Sequence, residues 1–171
     1  MGMNITFYVA AVIAVLATLM VITGRSAVHA LLYLIVSLLA VAVVFYVLGA
    51  PFAAALEVII YAGAIMVLFV FVMMMLNLGG AAAAARMRNW LSPAAWIGPA
   101  ILAAALLAEL EYMLTYGGRT PAGVGEVTSK AVGIALFGPY LLGVELASML
   151  LLAGLVGAYH LGHRRIEREE G

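Results

Sequence analysis

The chain has 171 residues, of which 67% are hydrophobic and 9% charged, and its mean hydropathy is +1.21. A water-soluble domain is nearer half apolar and a quarter charged, so this composition excludes a fold whose surface faces water and leaves a lipid bilayer as the solvent. Net charge is zero and cysteine is absent, which removes any overall field that would draw in nucleic acid and excludes disulfides, iron–sulfur ligation and thiolate zinc sites.

The expected fold is all-α: a polytopic membrane protein forming one transmembrane helical domain over residues 1–163, with a short charged tail at 164–171. A spanning helix needs about 20 apolar residues, and five segments supply them. The first runs over about Met3 to Thr23. No Lys or Arg precedes it, it is longer than a usual signal-peptide core, and Arg25 follows it rather than leading it, so it is expected to be retained. The second runs over about Val28 to Leu48 and is broken by Gly49-Ala50-Pro51. The third covers about Phe52 to Leu78 and ends in Gly79-Gly80. The fourth covers about Pro93 to Leu114, with Ser92 as N-cap and Pro93 in the first turn. The fifth covers about Ala131 to His160, divided by Gly138-Pro139.

Five spans put the termini on opposite sides. Arg25, Arg86, Arg88, Arg164, Arg165 and Arg168 fall on the side of the C-terminus, whereas Arg119 and Lys130 fall on the side of the N-terminus. The excess predicts a cytoplasmic C-terminus and an external N-terminus.

In lipid the expensive residues are the informative ones, since a charge at the centre of a spanning helix costs roughly 2.5–3.5 kcal/mol on insertion scales. Glu57 lies in the third span and Glu145 in the fifth, both in the predicted outer half. Each is expected to face the bundle or a partner. Tyr61 follows Glu57 by four residues, which puts both on one helix face. Two readings stand: a hydrogen-bonded proton path through carboxyl, phenol and water, or acids that fix helix packing. Ala62-Gly63-Ala64 likewise has two readings. It is ordinary small-residue packing, or a hinge or π-bulge, whose one extra residue would turn the following Val67, Leu68 and Phe69 by about 100°. His29, His160 and His163 lie at membrane ends on the same predicted side, a poor arrangement for axial ligands of one haem. Glu109 and Glu111 near the end of the fourth span are expected to be interfacial, and Met73-Met74-Met75 to be adaptable packing. No catalytic triad, metal cluster or nucleotide motif is present.

At the third span a resemblance becomes visible. LEVIIYAGAIMVLFVFVMMMLNLGG (Leu56 to Gly80) resembles the signature helix of the subunit J family of bacterial NADH:quinone oxidoreductase, respiratory complex I, a family that includes the mitochondrially encoded sixth membrane subunit. VHALLYLIVSLLAV (Val28 to Val41) and SKAVGIALFGPYLLGVELASMLLLAGLVGA (Ser129 to Ala158) are similar to its second and fifth helices. The resemblance implies a subunit of a proton-translocating membrane arm in the bacterial cytoplasmic (inner) membrane, packed against subunits K, H, A and N. It implies no redox cofactor on this chain, with NADH, FMN, iron–sulfur clusters and quinone held by partners. It also implies a third helix that switches between a π-bulged and a regular form, mapped here to Tyr61, Gly63, Val67 and Phe69, with Glu57 and Glu145 at positions that are acidic in the family. The chain itself would then be a non-catalytic subunit of the oxidoreductase. Against this stand a purely structural linker of the same arm and a self-contained proton-coupled transporter. The transporter would usually show an internal repeat, and five unequal spans give little sign of one.

Overall fold

The computed structural model describes residues 2–24, 26–76, 93–116 and 125–163. Among these every regular element is helical, and five spans are long and apolar enough to cross a membrane. Helix α1 is Gly2–Thr23 and α2 is Ala27–Val47. Helix α3 (Pro51–Leu56), a π-helical segment (Glu57–Ile65) and α4 (Met66–Leu76) follow one another as one span. Helix α5 is Pro93–Tyr116, α6 is Ser129–Leu136 and α7 is Leu141–His163. Gly138-Pro139 sits in the turn between α6 and α7, as the sequence predicts. The expected Ser92 cap, Asn77 and Leu78, and the seven arginines that set the predicted orientation lie outside the described residues, as does the tail at 164–171.

The chain forms two compact units, Met1–Val127 and Thr128–Gly171. In the first, α2 is central: α1, α3, the π segment, α4 and α5 all pack on it. With lipid outside there is little hydrophobic drive between helices, and close approach of small residues takes its place. Ala10, Ala17 and Ala40 are fully buried, and Ile13, Ala17, Val36, Ala40 and Leu106 make the core cluster. The α1–α2 seam is tied by polar atoms that satisfy one another. The Thr18 and Ser37 hydroxyls are 2.7 Å apart, and the Ser37 hydroxyl lies 3.2 Å from the Ala14 carbonyl oxygen as its donor.

The turn after α2 is set by its own backbone. Gly49 N–H donates to the Tyr46 carbonyl and Ala50 N–H to the Phe45 carbonyl, both at 3.0 Å. This pair of bonds closes a helix C-terminus through a left-handed residue, and Gly49 has φ 83°. Pro51 then opens α3 in its first turn, where its missing N–H removes no helical bond. The Gly49 carbonyl accepts from Val127 N–H at 2.9 Å, which ties the end of the first unit to this turn. In the second unit the Thr128 hydroxyl caps α6 by accepting from Ala131 N–H at 3.3 Å.

Gly49→Ala places a side chain at positive φ and is expected to destabilise the first unit by about 1–2 kcal/mol. A lowered midpoint in thermal unfolding of the detergent-solubilised chain checks it.

Candidate functional site

The third span contains an interruption of the α-helical ladder. From Glu57 to Ile65 the backbone is π-helical, and Met66 N–H reaches back to the Tyr61 carbonyl, five residues earlier. A π turn carries one more residue than an α turn and turns up mostly as a short insert, frequently at functional sites. Gly63 fits that geometry. A β-carbon built there would lie 3.1 Å from the Val58 carbonyl oxygen, five residues back, so any side chain forces that carbonyl to give way.

Tyr61 and Gly63 therefore lie inside the π segment, with Glu57 as its first residue. Val67 and Phe69 lie just past it in α4 and are exposed. Glu57 is half-buried and Tyr61 exposed. The two share the segment, but among the described residues no hydrogen bond joins the carboxylate to the phenol. Met66, at the junction with α4, is buried at 3% exposure and anchors the end of the segment in the first unit. Glu145 belongs to α7 in the second unit, where it is exposed. Of the other acids, Glu111 is exposed.

Glu109 departs from expectation. Distance from the end of the fourth span suggested an interfacial side chain. Instead it is 9% exposed, and both carboxyl oxygens are buried without a hydrogen-bond partner among the described residues. The signal was present as periodicity. Leu102, Leu106, Glu109 and Met113 recur at the spacing of one helix face, and Leu106 with Leu102 belongs to the core on α1 and α2. Beside this face a cavity of about 520 Å³ opens between α2, α5 and the third span, lined by Val43, Tyr46, Ala54, Val58, Leu106 and Leu110 among others. Val58 brings the π segment to its wall. Among the described residues no cluster of three histidine or acidic side chains is placed to hold a metal ion.

A carboxyl and a phenol thus stand on a non-α segment at the margin of a packed core. Comparisons with known proteins bear on it. Residues 17–161 match the model of the family described as NADH-ubiquinone/plastoquinone oxidoreductase chain 6. The chain is similar to NADH-quinone oxidoreductase subunit J of Pseudomonas aeruginosa, 63% identical over 166 residues that cover 95% of this chain and 98% of that one. It is 60% identical over 162 residues to subunit J of Escherichia coli K12, covering 94% and 86% of the two chains. It is 48% identical over 163 residues to subunit J of Buchnera aphidicola from Schizaphis graminum, covering 95% and 99%.

An unpaired buried polar group destabilises a fold, and an apolar group of similar size in its place is neutral or better. Glu109→Leu is accordingly expected to stabilise the first unit by about 1–3 kcal/mol, read as a raised unfolding midpoint in detergent, with Glu109→Lys lowering it.

Proposed function

The chain belongs to the family of NADH-ubiquinone/plastoquinone oxidoreductase chain 6, and from that premise we propose that it is a membrane-arm subunit of a proton-translocating NADH–quinone oxidoreductase, coupling quinone reduction to proton movement through its third span. The observation that carries the coupling role is the π-helical segment Glu57–Ile65, which holds Glu57, Tyr61 and Gly63 together. Three lines support the reading: the likeness to subunit J proteins over nearly the whole chain, five apolar spans, and a non-α segment that holds a carboxyl, a phenol and a glycine together.

In this reading the chain performs no redox chemistry. NADH, FMN, iron–sulfur clusters and quinone belong to partner subunits, and with no cysteine this chain has no thiolate to offer a cluster. It sits in the bacterial inner membrane against subunits K, H, A and N, with its N-terminus external and its C-terminus cytoplasmic. Conformational change driven by quinone chemistry in a neighbour moves the extra residue of the π segment. A shift of one residue turns the following side chains by about 100°, so Val67 and Phe69 exchange places with others along the inner surface. A water chain running through Glu57 and Tyr61, with Glu145 as a further acid, is thereby joined or broken. Glu57 holds and passes the proton, Tyr61 orients the water beside it, and Gly63 permits the backbone to change form.

The test separates electron transfer from pumping in the assembled complex. Gly63→Val adds a β-branched side chain against the Val58 carbonyl and is expected to bias the two helical forms by about 1–3 kcal/mol, roughly a 5- to 150-fold change in their ratio. Protons moved per electron should fall most in this variant and less in Glu57→Gln, with NADH–quinone reductase activity better preserved than pumping. Full assembly with wild-type stoichiometry in Gly63→Val, Glu57→Gln and Glu145→Gln would reduce the chain to a structural linker. Migration as a small species on a native gel would point instead to a self-contained transporter.

A further inference from the structure

We propose that Glu109 of α5 is a proton-binding site closed inside the first unit: its side chain is a neutral carboxylic acid, and the cavity beside it is the route by which a proton or a lipid-soluble carbodiimide reaches it. The mechanism assigned to the third span does not use this acid, and the inference does not depend on that mechanism.

Glu109 is 9% exposed, and both carboxyl oxygens are closed off from solvent with no hydrogen-bond partner among the described residues. It lies in the first unit, where α5 packs on α1 and α2. Leu106, one turn earlier on the same face, belongs to the core with Ile13, Ala17, Val36 and Ala40. An ionised carboxylate in such a place needs a cation or several donors. Without them the charge is so unfavourable that the group takes up a proton instead.

The neighbouring helices supply no counter-charge. No Lys or Arg occurs in α1, α2, the third span or α5. Their titratable side chains are Tyr8 on α1; His29, Tyr33 and Tyr46 on α2; Glu57 and Tyr61 on the third span; and Glu111, Tyr112 and Tyr116 on α5. Of these His29 alone could become a cation, and the register of α2 on α5 keeps it away. The Tyr33 hydroxyl fills the space where a β-carbon at Gly98 would stand, and Gly98 precedes Glu109 by about 16 Å of helix. Val36 and Ala40, further along α2, meet Leu106, further along α5, so His29 lies a turn beyond Tyr33 in the direction away from Glu109. A cation from a neighbouring polypeptide could not reach the closed-off oxygens without opening the unit.

Leu106 and Met113, one turn before and one turn after Glu109 on its helix face, both line the cavity of about 520 Å³ between α2, α5 and the third span. Pockets that hold small organic ligands have volumes of about 300–1,000 Å³, and the side chains lining this one are apolar apart from Tyr46. Rotation about its own bonds carries the carboxyl between Leu106 and Met113 to the cavity wall. A carbodiimide there reports the proton directly. The acid O–H adds across one C=N bond: the carboxyl oxygen joins the central carbon and the proton goes to nitrogen. The acyl group then migrates from oxygen to nitrogen, leaving a stable N-acylurea heavier by one whole reagent, with nothing oxidised or reduced.

Membranes holding the full assembly, with the wild-type chain or with Glu109→Gln, are treated with dicyclohexylcarbodiimide, and the peptides of this chain are weighed by mass spectrometry. An N-acylurea is expected at Glu109, lost in Glu109→Gln and absent when a cationic, water-soluble carbodiimide is used. Infrared spectra of the two proteins report protonation without any need for access. The wild type is expected to carry a carboxylic-acid C=O band that Glu109→Gln lacks; loss of carboxylate bands instead would overturn the neutral acid. Ala103→Leu narrows the cavity and is expected to slow the labelling several-fold. An acid band with no adduct at Glu109, or an unchanged rate in Ala103→Leu, would overturn the cavity as the route, and modification by the water-soluble reagent would overturn the closure of the site.

Discussion

In the hydrocarbon interior no water is available to bond an amide, a hydroxyl or a carboxylate, so each polar group must find its partner in polypeptide. The rest of this molecule follows from that constraint. Its spans are helices because a helix satisfies its own backbone. Where helices of the first unit meet, alanines pack beside Ile13, Val36 and Leu106, and the hydroxyls on the α1–α2 seam bond to each other and to the Ala14 carbonyl. Even the π segment keeps its amides bonded, with Met66 N–H carried to a carbonyl five residues back. Against such consistency the acids Glu57, Glu109 and Glu145 stand out, because among the described residues no hydrogen bond or ion pair reaches any of the three carboxylates.

The architecture explains why a non-α turn is tolerated where it is. Helix α2 is the hub of the first unit, and its alanine and serine face is packed from several sides. Close-packed interfaces of that kind transmit strain and resist a change of register. The π segment lies on α2 as well, but most of its side chains are exposed, and Met66 is the buried residue at its end. A segment so placed can hold an extra residue without opening the core. That is the physical basis for proposing a coupling role for the third span rather than for the tightly packed α1–α2 pair.

Charge in oil is so unfavourable that any acid in a span draws attention in the sequence. Glu57, Tyr61 and Gly63 were identified by residue type and spacing, and all three lie in the π segment. That the segment is π-helical over Glu57–Ile65 was one of two open readings, since glycine flanked by alanine serves close packing equally well. Glu109 was misjudged for a definable reason. Position along a helix sets depth, whereas burial is set by angle around the axis, and its two-turn distance from the helix end concealed that it shares a face with Leu102 and Leu106.

Hydropathy, glycine and proline decided on their own the class of fold, the five spans and the breaks at Gly49-Ala50-Pro51 and Gly138-Pro139. These are local quantities, fixed by transfer of side chains to lipid and by backbone stereochemistry, as at Gly49 and Pro51. Tertiary structure was needed to choose among faces. It buried Glu109 within the first unit and set Val58 of the π segment at the wall of a cavity beside α5. Those outcomes depend on which helix lies against which, and that is determined by the fit of small side chains across the seams rather than by the polarity of any single segment.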